Sequence, residues 1–538
     1  MSMVYGSAIL SWLQRAAAYI GLLFQNSVFG RIARFCTGGT LGAWVRGSGV
    51  YQFLFVDGLA ARFLAALGRA ARGSAVCSFF RRDGRLEALW ETSVLCTVLT
   101  WLANLPASIL TWVHESTKPH WEGSTLLQMT SVLGGNTPVL VGLLLMVTMS
   151  IDHSKWDNMY AFVGVLFICV LFVLAGSHRR GQRFDVKSLG PYVILNMAVI
   201  CCSVLLSQDR WTSVRFLVFQ LTAFLILLLI VSSVRDYRQL RLLVILVMVG
   251  ITVAALYGCY QGIVGVEAKY GEVDVSLELN QGIPGRIYSF FDNANAFAGI
   301  LVMAMPLTYA LALNAETWYG RAAALISLLL CGLALAQTYS RGGYIGFVVT
   351  VVVFVAFWNW RLIPVLVIVG LCCLPVLPTT IYNRILSIGS KEDGSTSYRM
   401  SIYRCTMVIL KDYWLQGVGL GSNVLHNTFR KYPLWTFPVH SHCLYLQVWA
   451  ETGIFGLLTF LGTMLHQGKR AVKACAAADR RVKLLIAAAV SGLCGILVMG
   501  LAEYVWFYTR SLYLFWFIFA VIVAGIKIAR STEGSSCV

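Results

Sequence analysis

Long apolar runs alternate with short polar gaps from about residue 125 to the C-terminus. Twelve such runs cover about 125–149, 159–176, 190–207, 213–232, 240–261, 294–314, 322–339, 343–359, 361–379, 442–464, 484–503 and 511–528. Each is near the roughly 20 residues that an α-helix needs to cross the hydrocarbon of a bilayer. The pattern predicts an all-α, polytopic integral membrane protein with about 12 transmembrane helices. A further run at 93–113 contains Pro106. It reads as interfacial or re-entrant, because counting it as a span breaks the charge pattern below.

Charge orients the set. The gap at 177–189 holds Arg179, Arg180, Arg183 and Lys187, and the gap at 233–241 holds Arg235, Arg238 and Arg241. The gap at 465–483 holds Lys469, Arg470, Lys473, Arg480, Arg481 and Lys483. All three fall on one side, which the positive-inside rule makes cytoplasmic, with both termini there too. The other side receives two larger loops. One, about 262–293, carries Glu267, Glu272, Asp274, Glu278 and Asp292. The other, about 380–441, is the longest polar segment and carries Arg384, Lys391, Arg399, Arg404, Lys411, Arg430 and Lys431. Loops of that length follow the charge rule weakly, so a basic outer surface is permitted, and it would suit an anionic group.

Composition agrees with the pattern. Hydrophobic types make up 58% of the 538 residues and charged types 12%. A soluble domain carries roughly twice that charged fraction. The formal net charge of +18 sits mostly in the gaps, so anionic lipid is the expected partner and nucleic acid is not. The 15 cysteines lie mainly inside apolar runs, as at Cys201-Cys202 and Cys372-Cys373, and read as small packing residues. Residues 4–24 are apolar but interrupted by Gln14 and Arg15, so no cleavable signal peptide is expected. Arginines from Arg15 to Arg85 stud short apolar stretches, which predicts amphipathic helices on the inner leaflet.

Four polar clusters fall on the outer side. The first is Gly285-Arg286 through Asn293-Ala294-Asn295-Ala296, where guanidinium and amide groups precede a span. Such groups suit an anion or sugar hydroxyls, although Asp292 or Asn293 also fits ordinary capping. The second, Thr338-Tyr339-Ser340-Arg341-Gly342-Gly343, pins an arginine between two spans. An arginine there needs a partner or must snorkel to headgroups. The third, Ser397 to Arg404, holds Arg399 and Arg404 in the long loop, ahead of Gly417-Val418-Gly419-Leu420-Gly421. The stretch 397–411 could form an amphipathic helix. The fourth is His440-Ser441-His442-Cys443, then Glu451-Thr452-Gly453. A histidine at the water boundary can be neutral near pH 7 and take a proton. His440 and His442 alone do not make a metal site, since no third and fourth ligand is evident, and none is expected.

Taken in order, these pieces resemble the O-antigen ligase and polymerase family of bacterial envelope enzymes. The resemblance spans about residues 280–460. It rests on Arg286 with Asn293-Ala294-Asn295-Ala296, the Ser340-Arg341-Gly342 turn, Arg399 before the Gly-Val-Gly-Leu-Gly stretch, and the His440–Gly456 segment. It implies a fold similar to polyprenyl-dependent (GT-C-like) membrane glycosyltransferases. The donor it implies is a glycan on undecaprenyl pyrophosphate at the outer face of the cytoplasmic membrane. The acceptor is a glycan or lipid-linked saccharide, and no metal or soluble cofactor is implied. Arg286 and Arg341, with Arg399, match arginines expected to hold the pyrophosphate. His442 matches the histidine expected to deprotonate the acceptor hydroxyl, with His440, Asn293, Asn295 and Arg404 in support. Cys443 stands where family members often carry Asn, which leaves His442 against His440 open.

The chain then divides into a basic N-terminal region (1–120), a first transmembrane bundle (121–279), a ligase-like core (280–465, with outer loop 380–441) and C-terminal helices (466–538). The rival class is a flippase or other transporter of lipid-linked glycan. It would need polar residues along a mid-membrane path. The charges cluster at one face instead, and Asn196 and Gln220 are too few to reverse that.

Overall fold

The computed structural model describes residues 59–81, 85–117, 124–178, 182–266, 285–388, 394–434 and 436–536, with a few positions between 43 and 52. The amphipathic segments expected before residue 59, the acidic stretch from Glu267 to Glu278, Arg179, Arg180 and Lys391 lie outside the described residues. Two compact units form. One comprises residues 1–82 and 315–323, and the other 83–314 and 324–538.

In the smaller unit, α1 (Leu59–Gly73) segregates its arginines from its apolar positions, and α2 (Ala75–Arg81) follows. The larger unit is wholly helical among its described residues. It begins with α3 (Arg85–Glu91) and α4 (Val94–Ser116), then α5 (Thr125–Gly135), α6 (Thr137–Ser150) and α7 (Asn158–His178). Next come α8 (Pro191–Leu205), α9 (Arg210–Ser233), α10 (Tyr237–Val264), α11 (Ala294–Leu313), α12 (Trp318–Gln337) and α13 (Arg341–Asn359). After these run α14 (Ile363–Cys373), α15 (Thr379–Leu386), α16 (Gly394–Tyr413), α17 (Ser422–Phe429), α18 (Leu444–Ala477), α19 (Arg480–Met499) and α20 (Thr509–Ser536). Asp209, Asp236 and Asp479 cap α9, α10 and α19 by accepting from backbone N–H groups of the first turn.

Among the described residues, 10 helices are long and apolar enough to cross a membrane, or up to 11 with one bent pair counted as a span. The protein is therefore a multi-pass membrane protein. The bent pair is α5 and α6, which meet at 69°. Gly134-Gly135-Asn136 ends the first helix and Pro138, lacking an N–H, starts the second. The run expected as one span at 125–149 is thus broken. The run at 190–207 is helical but short, as α8.

Two further departures come from how the helices lie. The stretch Arg341–Val376 is helical but broken at Asn359, which is extended ahead of a 3-10 turn at Trp360–Leu362. As one rod it would be about 54 Å long. Yet Arg384 and Ser387, beyond its end, hydrogen-bond Tyr339 and Arg341 at its start. The chain therefore turns back at Trp360–Leu362, and the two apolar runs 343–359 and 361–379 are two limbs. Helix α4, expected at the interface, is itself long and apolar enough to cross a membrane. Asn104 exchanges hydrogen bonds with the Phe184 backbone, Thr111 accepts from Arg183, and Trp90 just before α4 donates to Lys187 O.

Within lipid, helices associate by close packing, because lipid tails are as apolar as side chains. Helices α13 and α19 meet at Gly346 and Gly495, where a Cβ on Gly346 would fall 3.0 Å from Gly495 O. Helices α11 and α20 lie at the centre, with nearly all of their apolar windows buried.

The larger unit has two distinct polar ends. At one, Lys527 bonds Asp185 at 2.9 Å and Val231 O at 2.8 Å. There Arg470 reaches Ser188 O at 2.9 Å and Glu87 at 3.0 Å. The described basic gaps gather at this end. The opposite end holds the starts of α11, α13, α18 and α20 and the end of α19. The long polar segment 380–441 also lies there, folded largely into α15, α16 and α17.

Candidate active site

Five chain segments converge at that second end. The first leads into α11. Arg286 is 7% exposed, and its guanidinium donates to Thr338 O at 2.8 Å and Asn295 Oδ1 at 2.6 Å. Asn293 caps α11 by accepting from the Asn295 and Ala296 N–H groups. Its amide therefore has a structural duty as well as a place in the cavity wall.

The second segment is the turn between α12 and α13. Tyr339 sits at φ +49°, which bends the chain sharply. Ser340 caps α13 by accepting from Gly343 N and donates to Asn295 Oδ1 at 2.9 Å. Asn295 Oδ1 thus ties the first segment to the second. Arg341 then projects to Ser387 O at 3.1 Å and to Ser395 Oγ.

The third and fourth segments come from the long loop. Arg384, 5% exposed, donates to Tyr339 O at 3.1 Å. Helix α16 brings Tyr398, Arg399 and Tyr403. The Tyr403 hydroxyl donates to His442 O at 3.2 Å and Leu501 O at 3.0 Å. Burial, reinforced by Cys443, pushes that phenol up to about 12, so it stays a protonated donor.

The fourth segment, 440–443, carries the histidines. His442 lies at φ +50°, a conformation a non-glycine residue rarely holds without support. The support is a relay of hydrogen bonds. His442 N donates to His440 Nδ1 at 3.2 Å, and Ser441 N donates to Gln447 Oε1 at 2.8 Å. Gln447 Nε2 in turn donates to Glu451 Oε1 at 2.7 Å. The glycine-rich stretch locks beneath: Val418 N bonds Ala450 O at 2.7 Å and Gly419 N bonds Glu451 O at 3.1 Å. Gly419, at φ +108°, presses against Ser207, where a side chain would collide.

The fifth segment, between α19 and α20, supplies Glu503. Its Oε1 lies 3.5 Å from His442 Nδ1, and its Oε2 lies 3.5 Å from Arg399 and accepts from Asn295 Nδ2 at 3.2 Å. Burial pushes this carboxyl up. The adjoining His442 and the positive charge of Arg399 outweigh that and hold it at about 2. Burial also lowers His440, to about 4, with the neighbouring His442 adding to the effect.

These segments enclose a cavity of about 300 Å³. Arg286, Arg341, Arg384, Arg399, His442 and Glu503 all line it, with Asn293 and Asn295. Four guanidinium groups face one carboxylate, an excess of positive charge suited to a phosphate group. A second cavity of about 100 Å³ shares the wall formed by Asn293, Asn295, His442 and Glu503, and His440 lines it.

The structure brings together Arg286, Arg341, Arg399, His442, Asn293 and Asn295. Arg404 is exposed and absent from the lining of either cavity. On α16 it falls five residues after Arg399, which turns it away from the face that Arg399 presents. Sequence reasoning missed Arg384, which was one of several loop cations, and Glu503. The signal for Glu503 was an isolated carboxylate at the end of an apolar run, a place where charge is costly. Glu503 is also the third group beside His440 and His442, and ligand atoms of the three lie within 4.8 Å of one another. That spacing could hold a metal ion. Arg399 already faces the same carboxylate, however, and its charge opposes a second cation there.

Residues 326–461 match the model of a family described as O-antigen ligase. The matched segment carries Arg341, Arg384, Arg399, His440 and His442. It does not extend to Arg286, Asn295 or Glu503. No curated protein matches the chain. The family match supports glycan transfer of the ligase or polymerase type.

Proposed function

From this kinship with the O-antigen ligases, we propose that the protein moves a glycan from an undecaprenyl-pyrophosphate carrier to an acceptor hydroxyl. The observation that carries the reading is the cavity itself, with four arginines and His442 around one space at the helix ends. Arg286, Arg341, Arg384 and Arg399 hold the pyrophosphate and neutralise the charge that grows on it as it departs. His442 takes the proton of the acceptor hydroxyl. The acceptor oxygen forms a bond to the anomeric carbon while the bond from that carbon to the phosphate oxygen breaks. The electron pair leaves with the carrier pyrophosphate. Attack opposite the leaving group inverts the anomeric centre.

Glu503 acts through His442 and Arg399, holding both toward the reacting atoms. The positive-inside rule turns the end bearing Arg235, Arg470 and Lys527 to the cytoplasm, and the cavity to the outer face of the inner membrane. The reaction as written needs no metal.

The test uses a host lacking this gene, complemented with the wild type, His442→Ala or Arg341→Ala. Envelope glycans are compared on gels with the lipid-linked intermediates. Single carrier-linked repeat units without long chains indicate a polymerase. Long carrier-linked chains not joined to their acceptor indicate a ligase. Unchanged glycans in all strains overturn the reading. Substrate accumulating on the inner side of the membrane would instead support a transporter.

A further inference from the structure

The smaller cavity differs in chemistry from the arginine-lined one. Aromatic side chains, Tyr504, Phe507 and Tyr508, replace guanidinium groups in its lining, and Ser511 lies among them. Ser511 is 3% exposed, and its Oγ is buried without a hydrogen-bond partner. His442, on the shared wall, keeps its Nδ1 toward Glu503. A buried hydroxyl left unpaired is destabilising, so a site that keeps one is arranged for a ligand that supplies the bond. Aromatic rings beside an unfilled polar position fit a pyranose, whose C–H faces lie on rings and whose hydroxyls seek polar atoms.

The floor decides which sugar. Gly299 of α11 and Ile496 of α19 line the chamber and meet there, and a Cβ on Gly299 would fall 2.9 Å from Ile496 Cδ1. A chamber closed by packed helices admits only the end of a chain. The first sugar of the donor is not an end, since phosphate joins it on one side and glycan on the other. The terminal sugar of the acceptor is an end. Entering here, it meets the arginine-lined cavity at His442, across the wall from the leaving group.

We propose that this aromatic chamber is the acceptor subsite and binds the terminal pyranose ring of the acceptor glycan, with Ser511 hydrogen-bonding one of its hydroxyls. The inference rests on the glycan-transfer reading above. Ser511 is a specificity-determining residue that leaves pyrophosphate binding to the arginines.

The experiment measures transfer in membranes of the complemented host. The isolated host acceptor glycan and the host lipid-linked donor are varied in turn. Ser511→Ala should raise the KM for acceptor about 5- to 10-fold, the effect of one hydrogen bond, and leave the donor KM within about twofold. Ser511→Leu, which fills the chamber, should raise the acceptor KM further. Arg384→Ala should impair donor use instead. A rise in donor KM with Ser511→Ala, or no change in either KM with both Ser511 variants, overturns the acceptor subsite while leaving glycan transfer intact. Failure of the wild type to transfer, or full transfer by Arg384→Ala, sinks the underlying reading and the subsite with it.

Discussion

Glu503 stands 3.5 Å from His442, carboxylate Oε1 to ring Nδ1, although the two arrive from different helix ends. The same carboxylate faces Arg399 through its other oxygen. One acidic group therefore orients the proposed base and one of the proposed phosphate ligands together. Glu503→Gln keeps the shape and removes the charge. It should lower kcat for glycan transfer about 10- to 100-fold, less than the about 10²–10⁴-fold loss expected for His442→Ala. Initial rates in membranes, normalised to protein level, check this. A Glu503→Gln rate equal to wild type would remove Glu503 from the mechanism.

Arg384 and Arg286 are buried at 5% and 7% exposure, and both bond backbone carbonyls of the 338–339 turn. A lysine has one charged end and cannot bond that carbonyl and also present a fork to phosphate. Arg286→Lys and Arg384→Lys should each raise the donor KM or cut transfer by about 10- to 100-fold, although net charge is unchanged. The control is Arg404→Lys, since Arg404 is exposed and off the cavity. Equal loss in all three variants would show that an arginine off the cavity matters as much, and would overturn the built phosphate site.

The apolar runs made most of the fold legible, because a span must be apolar over its whole length. The orientation of a helix was less so. Pro138 beside Gly134 and Gly135 broke the run at 125–149, and the length of that run gave no sign of the break. The extended Asn359 and the 3-10 turn at Trp360–Leu362 separated two limbs. At the site, Arg286, Arg341, Arg399 and His442 could be read because each sits in a polar cluster at a span boundary. Arg384 lay among other loop cations, and its burial and its bond to Tyr339 O set it apart only in the fold. Glu503 is near His442 in space and far from it in sequence, and one sequence holds no record of that contact. Arg404 failed for a local reason, since residues five apart on a helix do not share a face.

Gln447 links the histidine segment to the buried Glu451, accepting from Ser441 N and donating to Glu451 Oε1. Nothing in this chain of bonds touches the cavity. Its role is to hold His442 at φ +50°. Gln447→Ala leaves Ser441 N unpaired and takes one of the hydrogen bonds from Glu451, and should cost about 1–3 kcal/mol of stability. It should also lower kcat with little change in donor KM, because the arginines stay in place. Gln447→Glu should rescue in part if its carboxyl keeps both bonds. Thermal melting in detergent beside the KM and kcat split checks the claim. A lowered melting temperature with unchanged kcat would make Gln447 a packing residue only.

His440 is held near pKa 4 by burial and by His442, with Arg399 adding to the effect and Glu503 opposing it, against an ordinary value of 6.5. The native state therefore resists the proton that an unfolded chain takes up below about pH 6.5. Stability is unaffected by this group above 6.5 and falls as pH drops from 6.5 toward 4. The slope is about 1.4 kcal/mol per pH unit while the native ring stays neutral. By pH 5 the loss from this group should approach about 2 kcal/mol. His440→Gln has no proton to gain and should flatten that part of the curve. Glu503, held at about 2, stays ionised in the native state across the same window and adds little slope above pH 5, where the unfolded carboxyl is mostly ionised too. Melting temperatures of purified protein at pH 7.5, 6 and 5 decide the matter. A wild type that loses stability no faster than His440→Gln over that range would show that His440 is protonated in the native site. It would then count as a cation lining the smaller cavity, next to His442.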